Sequence, residues 1–253
     1  MLIRTHARFG LSSLLLLAAL GLSCLACGER QQPAQNSQAT AQRPQPLPAP
    51  SAEPEEPLPL IIFLGDSLTA GYGLSEAQAF PALIEAQLNQ EERRARVVNA
   101  GISGDTTAGG LDRLDWLLQQ QPDILMVCLG ANDGLRGLSL ESSQANLRSI
   151  ITRAQERDIR VLLAGMLIPP NYGQDYTDRF AAIYPTLAKE LGVPLIPFLL
   201  EGVAARPELN LPDGIHPTAE GQEIIASTVM PFLVPLIEAV ESSAPVTQNP
   251  TLG

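Results

Sequence analysis

The stretch Leu60-Ile61-Ile62-Phe63-Leu64-Gly65-Asp66-Ser67-Leu68-Thr69 decides the fold. Its first five residues are apolar without alternation, and a short apolar run that stops at a glycine reads as a strand buried on both faces. The polar segment from Gly65 to Thr69 then reads as a loop leaving the end of that strand. Four further runs share this character: Arg96–Asn99, Ile124–Leu129, Arg160–Ala164 and Pro194–Pro197, each bounded by Gly, Pro, Asn or Asp. Strands that are buried on both faces belong in a parallel sheet.

The segments between the runs have helical spacing. Apolar residues recur at Phe80, Leu83, Ile84 and Leu88; at Leu111, Leu114, Leu117 and Leu118; at Leu147, Ile150, Ile151 and Ala154; and at Phe180, Ile183, Tyr184, Leu187 and Leu191. Thr177 or Asp178 is the expected start of the fourth, and Gly192 its stop. A last helix is expected from Thr218 to about Leu236, bent near Pro231, because proline lacks the amide and crowds the preceding turn. Strands alternating with helices on this scale imply right-handed crossovers and a three-layer, doubly wound α/β fold with five parallel strands.

Ligands of such sheets bind beyond the carboxyl ends of the strands, so the loops after strands are where chemistry is expected. Four polar clusters occupy them: Gly65 to Thr69, Asn99 to Thr106, Gly130 to Gly134, and Asp213 to His216 just before the last helix. The chain has 2 histidines, and His6 lies in the N-terminal leader. Imidazole chemistry in the mature chain would therefore pass through His216.

A serine hydroxyl is a poor nucleophile unless an adjacent base, itself held by a third group, takes its proton. Ser67, His216 and Asp213 supply that set, with the last two on one tight turn. Attack on a carbonyl also creates an oxyanion that needs fixed donors. The backbone amides of Ser67 and Gly104 and the side-chain amide of Asn132 are the candidates, and a glycine at 104 permits close backbone approach.

Each cluster also has a bland reading. Ser67 could merely cap the helix after it, and Asn132-Asp133-Gly134 and Asp213-Gly214 could be ordinary turns. Four such clusters in order on one rim favour the catalytic reading. The G-x-S-x-G pattern of α/β-hydrolases does not fit, because Thr69 stands where the second glycine would be. Asp66 and Asp133 acquire no role from the sequence and read as structural. A single mature histidine and a single buried cysteine, Cys128, do not make an ordinary metal site, and no cofactor is expected.

These blocks resemble the SGNH (GDSL-type) hydrolases: Gly65-Asp66-Ser67-Leu68, then Gly104, then Gly130-Ala131-Asn132-Asp133, then Asp213-Gly214-Ile215-His216-Pro217. Asn132 to Gly137, Pro170-Asn171-Tyr172-Gly173 and Ile183-Tyr184-Pro185 are further similar to the bacterial thioesterase I, lysophospholipase and arylesterase group within that superfamily. The resemblance implies a flavodoxin-like sheet and metal-independent hydrolysis of acyl esters and thioesters. It places Ser67 as nucleophile, Gly104 and Asn132 with Ser67 in the oxyanion hole, and Asp213 and His216 as the rest of the triad. Other branches deacetylate carbohydrates, so an envelope O-acetylesterase is one alternative and a tethered module without catalysis another.

The acyl group is expected against the loops Gly134–Leu140 and Leu167–Tyr172, through Leu135, Leu138, Ile168 and Tyr172. The opposite reading packs these side chains beneath their loops.

The ends of the chain speak to location. Arg4, His6 and Arg8 precede an apolar run from Leu11 to Leu22 and then small residues before Cys27, the layout of an export signal. Leu25-Ala26-Cys27-Gly28 resembles a lipoprotein lipobox, with Cys24 in place of its usual leucine. Residues 1–27 are thus expected to direct export, with Cys27 lipidated or, alternatively, the leader cleaved to release a soluble periplasmic or secreted form. Residues 28–59, rich in Pro, Gln, Ala and Glu, are expected to be a disordered tether. Residues 60–240 form one hydrolase domain and residues 241–253 a flexible tail.

The formal net charge of −11 becomes −13 once Arg4 and Arg8 leave with a leader that holds no acid. That excess argues against nucleic acid or anionic lipid as the main partner. A monomer acting on a small or lipid acyl ester is expected, held to a membrane by the anchor. Cys128, alone inside a strand, is expected to be inert packing.

Overall fold

The computed structural model describes residues 58–243. The leader, Cys27, the tether up to residue 57 and the tail from residue 244 lie outside them. Five strands pair in the order β2-β1-β3-β4-β5: β1 (Leu60–Gly65), β2 (Arg96–Gly101), β3 (Ile124–Cys128), β4 (Arg160–Ala164) and β5 (Leu195–Ile196). Every pair is parallel, so the chain is an α/β protein of the doubly wound kind. All residues of β1 and β3 are buried, which explains their unbroken apolar runs.

The helices are α1 (Ser67–Ala70), α2 (Phe80–Gln90), α3 (Thr107–Asp112), α4 (Leu114–Leu118), α5 (Ala131–Leu135), α6 (Leu140–Gln155), α7 (Gln174–Leu191) and α8 (Ala219–Glu241). α2 packs on α8, while α6 lies between α3 and α7. The two sets cover opposite faces of the sheet, as burial on both faces requires.

Three boundaries differ from expectation. The apolar run at 111–118 forms two short helices, because Gly109-Gly110 weakens the first and the chain turns at Arg113. α7 begins at Gln174, one turn before Thr177, straight after Gly173 at φ 92. α8 continues to Glu241, through Pro231 and Pro235. Both prolines are exposed, so the carbonyls they leave without an amide partner face water.

α8 is long and apolar enough, by length and composition, to cross a membrane. Its Ile225, Val229, Leu233 and Ile237 recur on one face, however, and all are fully buried in the core. It is the core helix that closes this side of the sheet.

Candidate active site

β1 is followed in sequence by its neighbour on one side, β2, and β3 then pairs on its other side. The winding reverses between β1 and β3, and the crevice beyond such a reversal is where doubly wound folds bind ligands. Ser67 opens α1 directly after β1, and Asn132 lies in α5 directly after β3. The sheet thus delivers these two residues to the two sides of that crevice.

The third contribution comes from the turn before α8. Asp213 Oδ1 accepts the backbone amides of Ile215 at 2.9 Å and His216 at 3.0 Å. The Leu211 amide donates to the His216 carbonyl at 2.7 Å, closing the turn, and Gly214 sits at φ 70. Asp213 Oδ2 is 2.7 Å from His216 Nδ1, and His216 Nε2 is 2.9 Å from Ser67 Oγ. With its Nδ1 proton given to Asp213, the ring presents a lone pair on Nε2 to the serine hydroxyl. Hydrogen bonds from the His216 ring, then from the amides of His216 and Ile215, hold the Asp213 carboxyl down at about 2. Tyr72 covers the imidazole, with ring centroids 4.3 Å apart and planes tilted by 35°.

Gly104 has φ 83, a conformation that side chains resist. Asn132 Nδ2 donates to the Asp105 carbonyl at 2.9 Å and makes a longer contact of 3.3 Å with Asp66 Oδ2. Asn132 is positioned by its helix, and that helix begins at Gly130 with φ 114. A Cβ at Gly130 would come within 2.3 Å of the Tyr184 hydroxyl, which donates to the Leu129 carbonyl at 3.1 Å. Glycine is required there to let the tyrosine brace the end of β3.

The structure gives Asp66 and Asp133 surroundings that the sequence did not. Asp66 is fully buried beneath Ser67. Its Oδ1 accepts the Leu68 amide at 3.0 Å, capping α1, and its other oxygen faces Asn132. Burial pushes its carboxyl up to about 6, against the opposing pull of the Leu68 amide, His216 and Asn132.

Asp133 is also buried and serves as a knot between blocks. Its carboxylate accepts the Thr107 amide at 2.9 Å, the Thr107 hydroxyl at 2.6 Å and the Ser143 hydroxyl at 3.0 Å. Arg113 ties the floor of the crevice in the same way. Its guanidinium donates to the Asp105 carboxylate at 2.8 Å, the Ala100 carbonyl at 2.6 Å and the Gly65 carbonyl at 2.9 Å. An arginine at a helix break gave no sequence signal of that task.

The expected acyl wall divides. Leu138 and Tyr172 are exposed at the rim, and the Tyr172 hydroxyl donates to the Leu135 carbonyl at 2.9 Å. Leu135 is half-buried against the core. Ile168 is buried, 8 % exposed, and packs under Gly134, whereas its neighbour Leu167 is 49 % exposed. For Ile168 the reading that packs the side chain beneath its loop is the one observed.

A cavity of about 350 Å³ lies behind the Asp213 turn, lined by Arg206, Asn210, Leu211 and Gly214. Another of about 550 Å³ lies between Gln119–Asp123 and Arg157–Arg160, at the opposite end of the sheet. Cys128 is fully buried, and burial pushes its thiol far above the usual range, which leaves no thiolate to react. No cluster of three metal-binding side chains occurs among the described residues.

The GDSL-like lipase/acylhydrolase family model matches residues 63–224. The thioesterase 1/protease 1/lysophospholipase L1 of Escherichia coli strain K12 is 44 % identical over 178 residues, covering 70 % of this chain and 84 % of the relative. The arylesterase of Vibrio mimicus is 42 % identical over 175 residues, covering 69 % of this chain and 88 % of the relative. Among solved structures, that of TesA superposes with a TM-score of 0.68 at 42 % identity, covering 70 % of this chain and 99 % of that one.

Proposed function

We propose that this chain, which belongs to the GDSL-like lipase/acylhydrolase family and is a serine esterase, cleaves acyl esters and thioesters through an acyl group carried on Ser67. The observation that carries the assignment of roles is the unbroken line from Asp213 Oδ2 through the His216 ring to Ser67 Oγ, with contacts of 2.7 and 2.9 Å.

His216 Nε2 takes the Ser67 proton as Oγ bonds to the acyl carbon. Asp213 keeps the other ring nitrogen protonated and steadies the imidazolium that forms. The carbonyl oxygen becomes an oxyanion facing the amides of Ser67 and Gly104 and the Asn132 side chain. Asn132 turns one hydrogen toward it by releasing the longer contact with Asp66. The imidazolium then gives its proton to the departing alcohol or thiol, leaving acyl-Ser67. Water, deprotonated by His216, attacks that ester with the same oxyanion donors in place. The bond from the acyl carbon to Ser67 Oγ then breaks, the imidazolium returns its proton to Oγ, and the carboxylic acid leaves.

Leu138 and Tyr172, with Leu135 at their base, are the side chains we assign to the acyl group. Hydrolysis of p-nitrophenyl esters from acetyl to palmitoyl tests the reading. Ser67→Ala is expected to lower kcat by about 10³-fold or more, while near-normal turnover by pure Ser67→Ala protein would overturn it.

For location, the reading favours export directed by residues 1–27, acylation of Cys27, and a domain of residues 60–240 carried on the polar segment 28–59. Its support is the charged, then apolar, then small-residue order that ends in Leu25-Ala26-Cys27-Gly28. Cys27→Ser is expected to move the protein from the membrane to the soluble fraction, and its retention on membranes would count against acylation.

A further inference from the structure

Among the described residues, seven large apolar side chains are exposed, and six of them, Tyr72, Ile102, Leu138, Leu167, Tyr172 and Ile215, lie in loops on the catalytic rim. They leave the ends of β1, β2, β3 and β4 and the Asp213 turn. The seventh, Trp116, lies on α4, which returns the chain toward the start of β3. Soluble surfaces scatter such residues singly, so their gathering on one rim requires an explanation.

The acyl wall assigned above does not account for all of it. Ile102 follows β2 and Leu167 follows β4, and β1 and β3 lie between those strands. Three strand spacings separate them by about 14 Å, and neither belongs to the acyl wall of Leu135, Leu138 and Tyr172. The apolar set thus extends from the β2 side of the crevice to the β4 side.

The polar groups of the rim narrow the partner. Arg136 is exposed beside the crevice, where its guanidinium donates to the Gly104 carbonyl at 2.8 Å and makes a 3.4 Å contact with Asn132 Oδ1. It is in no ion pair among the described residues. It therefore keeps donors for a phosphate, for which a guanidinium is well shaped. The chain as a whole carries a formal charge of −11, which repels an anionic bilayer. Tyr72 is of the type that sits where apolar tails meet headgroups, with the ring in the apolar layer and the hydroxyl wet.

We infer that this rim is an interfacial surface that seats on a zwitterionic phospholipid aggregate, so that an acyl ester enters the crevice from the lipid rather than through water. The inference rests on the esterase reading and adds the physical state of the substrate. Ile102, Leu167 and Ile215 enter the tail region, and Arg136 meets a headgroup phosphate.

The test uses the full chain carrying Cys27→Ser, so that acylation cannot supply attachment, with and without Ile102→Ser and Leu167→Ser together. Each protein is assayed on dissolved p-nitrophenyl butyrate and on lysophosphatidylcholine in phosphatidylcholine vesicles. The double variant is expected to keep its rate on the dissolved ester within about twofold and to lose roughly tenfold or more on the vesicles, as two apolar side chains no longer insert. An equal fall on both substrates would make the rim the wall of an ordinary substrate pocket, and no fall on either would make it idle; both overturn the inference.

Vesicles of phosphatidylglycerol are expected to support slower turnover at low salt, and faster turnover on them would overturn the choice of a zwitterionic surface. A parent protein that hydrolyses neither substrate would instead remove the esterase reading beneath it.

Discussion

Asp66 and Asp213 flank the same Ser67 and His216, one in the floor of the crevice and one on its rim, and their surroundings move them in opposite directions. The floor residue is fully buried, and burial drives its carboxyl up to about 6. The rim residue is exposed, yet three hydrogen bonds to its charged form hold it at about 2. At the floor burial outweighs the Leu68 and Asn132 donors, and at the rim, where burial counts for little, the donors set the direction. Charge is placed beside the His216 ring and weakened beneath the Asn132 side chain.

The comparison breaks most visibly on the rim. Asp213→Ala removes the acceptor that fixes the ring, and kcat is expected to fall by about 10³–10⁴-fold. Asp213 also holds its turn through the Ile215 and His216 amides, so the melting temperature should fall modestly beside that loss of rate. A large loss of melting temperature with a small loss of kcat would reverse the roles given to rim and floor.

Asn132 joins the floor to the oxyanion position. Asn132→Ala is expected to lower kcat by about 10²–10³-fold with KM little changed. A pure KM effect, read from steady-state kinetics on one dissolved ester, would remove it from the oxyanion hole.

The floor itself should appear in stability rather than in rate. The folded Asp66 binds its proton more tightly than an unfolded aspartate at 3.8, so its contribution is most favourable below that pH and is lost as pH rises toward 6. Folding should weaken by roughly 2 kcal/mol from this group between pH 4 and 7. Asp213 has the opposite sign: its stabilisation is present above 3.8 and is lost as pH falls toward 2. Urea unfolding of the parent and of Asp66→Asn at the two pH values separates them. The variant should lose the parent's weakening across that range, and an unchanged difference would show that Asp66 is charged at both pH values.

Much of this was legible in the sequence for a physical reason. Strands buried on both faces must be nearly all apolar, so β1, β3 and β4 stood out as runs. β5, with only Leu195 and Ile196 in the ladder, was marked mainly by its flanking prolines. The hydrogen-bonded line from Asp213 through His216 was legible because residues 58–243 hold a single histidine, with an aspartate three positions before it.

What stayed hidden depends on partners distant in sequence. Asp66 meets Asn132 across 66 positions, Asp133 meets Thr107 across 26, and Arg113 meets Gly65 across 48. No local pattern records such pairings. Nor does composition distinguish Leu167 from Ile168, since which of two adjacent apolar side chains faces out is set by the path of the backbone after β4.

The central claim is that the line from Asp213 through His216 activates Ser67 and no other serine. Covalent labelling with a p-nitrophenyl alkylphosphonate, followed by peptide mass spectrometry, tests it most directly. The account predicts one adduct per chain, on Ser67, formed in step with loss of esterase activity and strongly slowed by His216→Ala. An adduct on another serine, or full activity surviving complete labelling of Ser67, would contradict it.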